Sequence, residues 1–302
     1  MKYLIIGAGG TGGVTGYYLK KAGKDVTLIA RGEHLKTIQE QGLTLEKMWD
    51  KTEETITIPA ADMEHYTDHP DVIFVCVKGY SLDETIPFIK QIAKKTTIVI
   101  PVLNIYGTGG KMQKQLPELL VTDGCIYVSA NIKEPGRLLQ HGQILRIVFG
   151  VRDKAESRPE LKEIQKDLCD SNIDGILSEN IRREALEKFP TFPQSVQQGS
   201  TIMQQPQIQK EGEARELFKA MIREIAALAE AMGVPFQKDM VDVNLKILSN
   251  LAPEATTSMQ RDIMEGKRSE IDGLVYEVVR MGEKYHVPVP AYEKVAEKLK
   301  AL

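Results

Sequence analysis

Six residues near the start of the chain have the spacing of a phosphate-binding turn. Gly7-Ala8-Gly9-Gly10-Thr11-Gly12 reads GxGxxG and lies between a predicted strand, Tyr3–Ile6, and a predicted helix, Gly12–Ala22. In such a turn the first glycine permits a tight bend, the second lets a pyrophosphate approach the backbone, and the third lets the helix pack on the strand. Free N–H groups at the helix N-terminus attract the phosphates. The sequence therefore predicts a dinucleotide site here, with a purely structural turn as the alternative.

The end of the second predicted strand, Val26–Ala30, indicates which dinucleotide is bound. Sites for NAD usually place Asp or Glu there to bind the ribose 2′-hydroxyl. This chain has Arg31 instead, and a guanidinium can pair with a 2′-phosphate. Glu33 follows the turn and is predicted to start a helix. We therefore predict NADP(H) as the cofactor, with a solvated surface arginine as the alternative for Arg31.

Two further segments contain residues that can bind phosphate. Lys78 follows the buried strand Val72–Val77, at the edge where open α/β sheets bind ligands, so it either reaches a phosphate or is a surface lysine. Gly107-Thr108-Gly109-Gly110-Lys111 resembles a nucleoside-triphosphate loop. Its spacing fails because Ile105 and Met112 stand where Gly and Ser or Thr are needed. We reject a triphosphate site there.

These residues are positioned by an alternation of short apolar runs and amphipathic stretches in the first half of the chain. The pattern predicts a parallel sheet covered by helices. Beyond the first two strands, the predicted β segments are a peripheral hairpin over Leu43–Ile58 and the strands Val72–Val77, Thr97–Val102, Cys125–Ala130 and Ile144–Gly150. The last two strands are expected to close the sheet.

The second half has helical periodicity. One face of a predicted helix over Glu213–Met232 carries Leu217, Met221, Ile225 and Leu228. Gly233 and Pro235 are typical of a helix end, and similar spacing returns over Ile271–Tyr285. We therefore predict an α/β protein with an N-terminal Rossmann-type dinucleotide-binding domain over residues 1–178, followed by an all-helical C-terminal domain over residues 179–302.

Composition excludes several functional classes. The chain has 302 residues, so it exceeds a typical single core. Its net charge is −3 and no block of like charge stands out, so the sequence gives no indication of nucleic-acid binding. Its apolar runs are too short to predict a signal peptide or a membrane span. Cys76, Cys125 and Cys169 form no CxxC pair and the histidines form no HExxH motif, so no metal site is predicted. Buried, unpaired thiols and a cytoplasmic location are expected.

Short segments along nearly the whole chain match one family. In the first half they are the Gly7–Gly12 turn, Val26–Gly32, Val77-Lys78, Asn104, Ser129-Ala130 and Glu134-Pro135-Gly136. In the second half they are Thr257-Ser258-Met259, Asp262, Glu270-Ile271-Asp272 and Val287-Pro288-Val289-Pro290. With these segments the chain resembles the ketopantoate reductases (2-dehydropantoate 2-reductases).

The resemblance implies that NADPH reduces a 2-oxo acid to a 2-hydroxy acid. The expected pair is 2-dehydropantoate and pantoate, in pantothenate biosynthesis. The resemblance further implies that Arg31 and Lys78 hold the 2′-phosphate and that Asn104 lies near both nicotinamide and substrate. It also implies a homodimer formed through the helical domain.

Three residues of the second half are implied to act on the substrate. Lys188 is expected to protonate the developing alkoxide, because a positioned ammonium stabilises that charge and supplies the proton. Ser258 and Glu270 are expected to bind polar groups of the substrate and to support the lysine. The alternatives are an exposed helix lysine for Lys188 and a helix-start carboxylate for Glu270.

Departures from the family pattern concern the substrate. The family typically has Asn four and eight residues after the catalytic lysine, where this chain has Phe192 and Val196. Around Asn104 the usual Gln and Gly are replaced by Leu103 and Ile105. Losing polar anchors changes substrate choice, because a site that hydrogen-bonds a hydroxyl selects strongly for it. Two alternatives stay open: a paralogous reductase of a more apolar 2-oxo acid or carbonyl, and a catalytically silent NADP(H)-binding regulatory protein.

Overall fold

The structure, a computed structural model, describes residues 1–189, 208–250 and 257–300, together with the backbone of residues 197–198 and 201–202. The chain divides into two compact units, Met1–Ile181 and Arg182–Leu302. The division falls slightly after residue 178, because Ile181 packs against Cys125 and Val148 of the first unit. Phe192 and Val196, which bear on substrate choice, lie outside the described residues.

Strands dominate the first unit and helices the second. The strands are β1 (Lys2–Ile6), β2 (Asp25–Ile29), β3 (Leu43–Lys47), β4 (Thr52–Ile56), β5 (Ala60–Ala61), β6 (Val72–Val75), β7 (Ile98–Pro101), β8 (Leu120–Val121), β9 (Asp123–Glu134), β10 (Arg137–Gly150), β11 (Asp174–Leu177), β12 (Gln197–Gln198) and β13 (Thr201–Ile202). The helices are α1 (Gly10–Lys21), α2 (Gly32–Gln41), α3 (Leu82–Ile92), α4 (Thr108–Gln115), α5 (Glu160–Asp170), α6 (Ile181–Lys188), α7 (Glu213–Ala231), α8 (Met240–Ser249), α9 (Ser258–Met264), α10 (Glu277–Tyr285) and α11 (Pro290–Lys300).

A six-stranded sheet with the order β5-β2-β1-β6-β7-β8 forms the centre of the first unit. Counted along the chain, this order is 3-2-1-4-5-6, the arrangement of doubly wound dinucleotide-binding folds. All neighbouring strands run parallel, so their carboxyl ends share one edge of the sheet. The predicted Rossmann-type domain is confirmed.

Both faces of the parallel sheet are covered, as the side chains of β1 show. Tyr3 and Ile5 belong to one hydrophobic core together with side chains of α1. Leu4 and Ile6 belong to another core together with side chains of α3. All four are fully buried, and burying a large apolar side chain contributes about 1.5–3 kcal/mol. Because alternate side chains of β1 pack on opposite faces of the sheet, the strand end and the turn that follows it are held in place from both sides.

A second, five-stranded sheet corrects one expectation from the sequence. Cys125–Ala130 and Ile144–Gly150 do not close the parallel sheet. They belong to β9 and β10, which form a long antiparallel hairpin. The other edge of β10 pairs in parallel with β3 and β11, so it is not available to the parallel sheet. The hairpin predicted over Leu43–Ile58 is confirmed as β3 and β4.

The second unit is mainly helical, as predicted. The buried face of α7 includes Met221, Ile225 and Leu228, and Gly233, with a φ of 72°, follows its end. Over Ile271–Tyr285 a π-helical turn precedes α10. A short antiparallel ladder of β12 and β13 departs from the all-helical expectation. In the described ranges, no helix combines the length and the apolar character of a bilayer span.

None of the three cysteines forms a disulfide, and they are not all buried. Cys125 is buried, whereas Cys169 is exposed on α5. The reason is that α5 packs inward through Leu161, Ile164 and Leu168, which leaves the adjacent Cys169 exposed beside that face, with its Sγ 3.5 Å from the Gly175 carbonyl oxygen. Cys76 is half-buried. The expectation of three buried thiols is therefore confirmed at Cys125 and wrong at Cys169.

Candidate functional site

The carboxyl ends of four parallel strands form a row at one edge of the sheet. Ile6 of β1 lies opposite Ile29 of β2 and Val75 of β6, and Val75 lies opposite Pro101 of β7. Residues predicted to contact the cofactor follow this row by one to three positions: Gly7, Arg31, Lys78 and Asn104. The strand order reverses between β1 and β6, which is where open α/β sheets bind ligands. The fold thus brings these four positions to one edge.

Gly7 makes the turn between β1 and α1. Its φ of +101° is one that residues with a side chain rarely adopt. The N–H groups of Gly7 and Ala8 both donate to the Ile29 carbonyl oxygen, at 3.1 Å. These bonds tie the turn to the end of β2, so α1 begins directly at the sheet edge.

The other glycines of the turn differ in the space around them. A Cβ atom on Gly12 would lie 2.1 Å from the Gly7 carbonyl oxygen, and one on Gly10 would lie 2.4 Å from the Ala130 carbonyl oxygen. Among the described residues, no atom comes within 4 Å of the Cβ position of Gly9. Packing therefore requires Gly12 and Gly10, whereas Gly9 borders open space of the kind that a phosphate would fill.

The N-terminus of α1 suits an anion. Gly9 caps the helix without a side-chain hydrogen bond, and the first turn contains no acidic residue. The N–H groups of that turn and the positive end of the helix dipole favour negative charge. The residues present fit the pyrophosphate of a dinucleotide.

Arg31 stands at the end of β2, where it caps α2. Its side chain is exposed and, within the described part of the chain, has no hydrogen bond or ion pair. Glu33 lies in the first turn of α2, as predicted, at 3.7 Å from Lys36. The strand end therefore offers a cation and no carboxylate, which suits a ribose 2′-phosphate.

Lys78 and Asn104 lie in the loops after β6 and β7. Lys78 precedes a 3-10 turn over Gly79–Ser81 and is half-buried. Asn104 is also half-buried, and the preceding Leu103 is 4% exposed. Leu103 packs in the hydrophobic core that includes side chains of α3.

A carboxylate of the protein itself fills the space beside the glycine-rich segment at the start of α4. A Cβ atom on Gly109 would lie 2.3 Å from Oδ1 of the buried Asp123. Arg152 approaches this carboxylate at 3.5 Å, yet burial dominates and raises the pKa of Asp123. The Asp123 carboxylate of β9 thus lies against the first turn of α4, where a phosphate would bind. This geometry agrees with the rejection of a triphosphate site.

Two charged residues predicted for the site are buried in the second unit. Lys188 ends α6 and is 5% exposed, so its alternative as an exposed helix lysine is wrong. Glu270 precedes the π-helical turn and is also 5% exposed. Lysine and glutamate are rarely buried unless they are paired. Ser258 is the first residue of α9, whose N-terminus carries a capping box.

Sequence reasoning missed two neighbours of the turn. One is the carbonyl group of Ala130 in β9, which approaches Gly10. The other is His34 of α2, whose Nε2 lies 2.8 Å from the Ala8 carbonyl oxygen. No motif signals either contact, because each joins elements that are distant in the sequence.

Two family descriptions together cover most of the chain. "Ketopantoate reductase PanE/ApbA" matches residues 3–154, and "Ketopantoate reductase PanE/ApbA C terminal" matches residues 180–302. The chain belongs to the ketopantoate reductase family. It is therefore an oxidoreductase of the ketopantoate reductase type, and the resemblance drawn from the sequence is confirmed.

Curated relatives of this ketopantoate reductase family member match it over nearly its full length. A 2-dehydropantoate 2-reductase from Mesorhizobium japonicum is 27% identical over 98% of this chain and 95% of its own. The uncharacterized oxidoreductase YkpB from Bacillus subtilis is 23% identical over 98% of this chain and 96% of its own.

Solved structures share the whole fold. The 2-dehydropantoate 2-reductase from Methylococcus capsulatus has a TM-score of 0.86 at 22% identity, covering 100% of this chain and 96% of its own. D-mandelate dehydrogenase with NADH and anilino(oxo)acetate has a TM-score of 0.85 at 22% identity, covering 100% and 98%. A ketopantoate reductase from Staphylococcus aureus, described as dimeric, has a TM-score of 0.79 at 21% identity, covering 100% and 98%.

Proposed function

We propose that this protein uses NADPH to reduce a 2-oxo acid to a 2-hydroxy acid, with 2-dehydropantoate, the precursor of pantoate in pantothenate biosynthesis, as its substrate. The observation that carries the proposal is the sheet edge. There the N-terminus of α1 has no side-chain cap at Gly9, and the side chain of Arg31 has no partner among the described residues. Family membership and the 2-dehydropantoate 2-reductase among its relatives support the reaction.

The first unit supplies the cofactor contacts in this proposal. N–H groups of the first turn of α1 bind the pyrophosphate, and the open space at Gly9 admits it. Arg31 and Lys78 hold the 2′-phosphate, since two cations at one strand edge favour the phosphorylated ribose. Asn104 contacts nicotinamide and substrate. When bound, the nicotinamide supplies the hydride that reduces the carbonyl carbon.

The second unit supplies the proton in this proposal. A hydride that reaches the carbonyl carbon leaves negative charge on oxygen, and the ammonium of Lys188 stabilises that charge and donates the proton. Burial of Lys188 supports this role, because water that would screen the charge is largely excluded. Glu270 orients the lysine, and Ser258 binds a polar group of the substrate.

A specific observation favours a second candidate, a more apolar 2-oxo acid. Leu103 and Ile105 flank Asn104, and Phe192 and Val196 replace the family's asparagines. Among the solved structures with this fold, D-mandelate dehydrogenase holds anilino(oxo)acetate, which carries an aromatic ring. Apolar side chains near the reacting carbonyl would select such a substrate over a hydroxylated one.

A substrate panel tests both candidates. The absorbance of NADPH is followed with 2-dehydropantoate, branched aliphatic 2-oxo acids and phenylglyoxylate, each over a range of concentrations. The highest kcat/KM for 2-dehydropantoate is the expected result, and a preference for the apolar acids supports the second candidate. Tight NADPH binding without turnover of any 2-oxo acid would overturn both in favour of the regulatory alternative.

We further propose that the protein is a homodimer and that it is located in the cytoplasm. The dimeric ketopantoate reductase among the solved structures supports the assembly, and three cysteines without a disulfide fit a reducing compartment. Light scattering is expected to give twice the chain mass of 33.7 kDa. A molar mass equal to one chain at micromolar concentration would contradict the dimer.

A further inference from the structure

His34 joins the phosphate-binding turn to the β9–β10 hairpin. Its Nε2 lies 2.8 Å from the Ala8 carbonyl oxygen, inside the turn. Its Nδ1 accepts a hydrogen bond from the backbone N–H of Gly136, at 2.9 Å, at the tip of the hairpin. The same hairpin approaches the turn a second time through the Ala130 carbonyl group at Gly10. One imidazole ring thus bridges two backbone segments that are distant in the sequence.

The partners of His34 determine its protonation state. A backbone N–H can only donate, so Nδ1 must carry a lone pair. A carbonyl oxygen can only accept, so Nε2 must carry the hydrogen and donate to Ala8. Both bonds exist together only in the neutral Nε2–H tautomer. A proton on Nδ1 would face the Gly136 N–H and break that bond.

We propose that His34 is a positioning residue for dinucleotide binding, which holds the Ala8 carbonyl group and so the first turn of α1 in the conformation that receives the pyrophosphate. This inference rests on the proposed cofactor. It assigns to His34 an effect on every dinucleotide that uses the turn, with or without a 2′-phosphate. Arg31, the N-cap residue three positions before His34, would act on the phosphorylated cofactor only.

The surroundings of His34 favour its neutral form near neutral pH. Burial lowers the pKa of His34, and the hydrogen bond to Ala8 only partly offsets this effect. The turn itself carries no titratable side chain. Charged residues of α2 and its N-cap are Arg31, Glu33, Lys36 and Glu40, and those next to the tip of the hairpin are Lys133, Glu134 and Arg137. Five of these form ion pairs: Glu33 with Lys36, Lys133 with Glu46, and Glu134 with Arg137. Dinucleotide affinity should therefore fall only in acid, where the imidazole becomes protonated.

Substitutions at His34 test the two hydrogen bonds separately. In His34→Gln the amide nitrogen can still donate to Ala8, and in His34→Asn the amide oxygen can still accept from Gly136. Affinities for NAD⁺ and NADP⁺ are measured by calorimetry at pH 8. His34→Ala is expected to weaken both nucleotides by a similar factor, about tenfold, since it removes two neutral hydrogen bonds. His34→Gln should retain more affinity than His34→Asn, because it keeps the bond to the turn itself.

A pH series separates positioning from a merely structural role. Affinity for NAD⁺ is measured from pH 8 to pH 5, because the 2′-phosphate of NADP⁺ titrates near pH 6 and would obscure the imidazole. The wild-type protein should lose affinity as the pH falls, whereas His34→Gln should show a flat profile. His65→Gln is the control, since His65 is an exposed histidine of the same unit that pairs with Asp62. Its profile should match that of the wild type.

The outcomes distinguish this inference from the proposed function. Wild-type affinity and an unchanged pH profile in folded His34→Gln and His34→Asn would overturn the role of His34 and leave the cofactor proposal intact. A selective loss of NADP⁺ alone would also overturn it. A wild-type protein that binds neither nucleotide at any pH would refute the proposed function, and the inference with it.

Discussion

At Arg31 a single side chain carries the proposed choice between the two nicotinamide cofactors. Its guanidinium is exposed and has no partner in the described residues, so a 2′-phosphate would be its charged partner. We expect Arg31→Ala to weaken NADPH binding about tenfold while leaving NADH nearly unchanged, because a charge-assisted hydrogen bond contributes about 1.5–3 kcal/mol. Fluorescence titration with both cofactors measures the difference.

Lys36→Ala provides the control for Arg31. Lys36 is an exposed cation on the same helix, but it lies beside Glu33 instead of at the strand end. The Lys36→Ala variant should bind both cofactors with the affinities of the wild type. Equal losses of NADPH and NADH in Arg31→Ala would refute the 2′-phosphate assignment.

Lys188 is the second residue at which the proposal can be tested directly. Removal of a general acid typically costs about 10²–10⁴ in rate. Lys188→Ala should therefore lower kcat by about that factor with little change in NADPH affinity. Steady-state kinetics and a cofactor titration on the same preparation check both parts. Lys166→Ala, an exposed lysine paired with Asp170 on α5, is the matched control, and an unaffected rate in Lys188→Ala would assign the proton to another group.

Among the elements, α1 provides two glycines with opposite expectations. Gly9 borders open space and has a φ of −74°, so the Gly9→Ala variant should fold normally but bind the dinucleotide more weakly. Gly12→Ala would place a methyl group against the Gly7 carbonyl and Ile5, and overpacking of this kind costs about 1–3 kcal/mol. Thermal unfolding without cofactor and affinity for NADPH separate the two effects. Equal unfolding midpoints in the two variants would contradict the packing described for α1.

A second element depends on a buried carboxylate. Glu224 of α7 accepts the N–H groups of Ala291 and Tyr292, at 2.7 and 3.1 Å, and so closes the N-terminus of α11. Glu224→Ala leaves these donors without a partner, and we expect it to lower the free energy of unfolding by about 1–3 kcal/mol. Chemical denaturation measures this loss, and Glu297→Ala, at an exposed position of α11, should have a negligible effect.

The same carboxylate makes the stability of the second unit depend on pH. Burial raises the pKa of Glu224 above its ordinary value of 4.5, and the two N–H groups only partly offset this. The folded state therefore holds the proton more tightly than the unfolded chain, so this contribution to stability is present in acid and is lost as pH rises through the folded pKa. Above pH 4.5 this effect makes the unfolding midpoint decrease as the pH rises, and Glu224→Gln should remove that contribution to the slope of midpoint against pH. An identical slope in Glu224→Gln would contradict this origin.

For the whole molecule, net charge and cofactor charge have the same sign. A protein of net charge −3 must attract an anionic cofactor through local groups, here the N–H groups of α1 and the cations at the strand edge. Because Arg31 is exposed, its attraction is screened once the Debye length shortens from about 10 Å at 0.1 M salt to about 3 Å at 1 M. The ratio of NADPH to NADH affinity should therefore decrease with ionic strength. A constant ratio between low and high salt would argue against an exposed 2′-phosphate contact.

The sequence predicted those parts of the molecule that local rules encode. The turn at Gly7–Gly12 and the residue at the end of β2 lie within one strand–helix–strand unit, so their spacing alone indicates the fold and the position of the site. The membership of β9 and β10 in a second sheet depends on pairing with β3 and β11, and an apolar run has the same pattern in either sheet. His34 was not predicted for a related reason, because its hydrogen bonds to Ala8 and from Gly136 exist only after the turn and the hairpin have both folded against α2.

The exposure of Cys169 has a practical use. A thiol reacts as its thiolate, and burial raises the pKa of Cys76 to about 12, while Cys125 is shielded by packing. A maleimide dye should therefore attach to the native polypeptide at one position, the exposed Cys169 of α5. Ligand titrations could then be read from an emission signal far from the nicotinamide absorbance, with no engineered label.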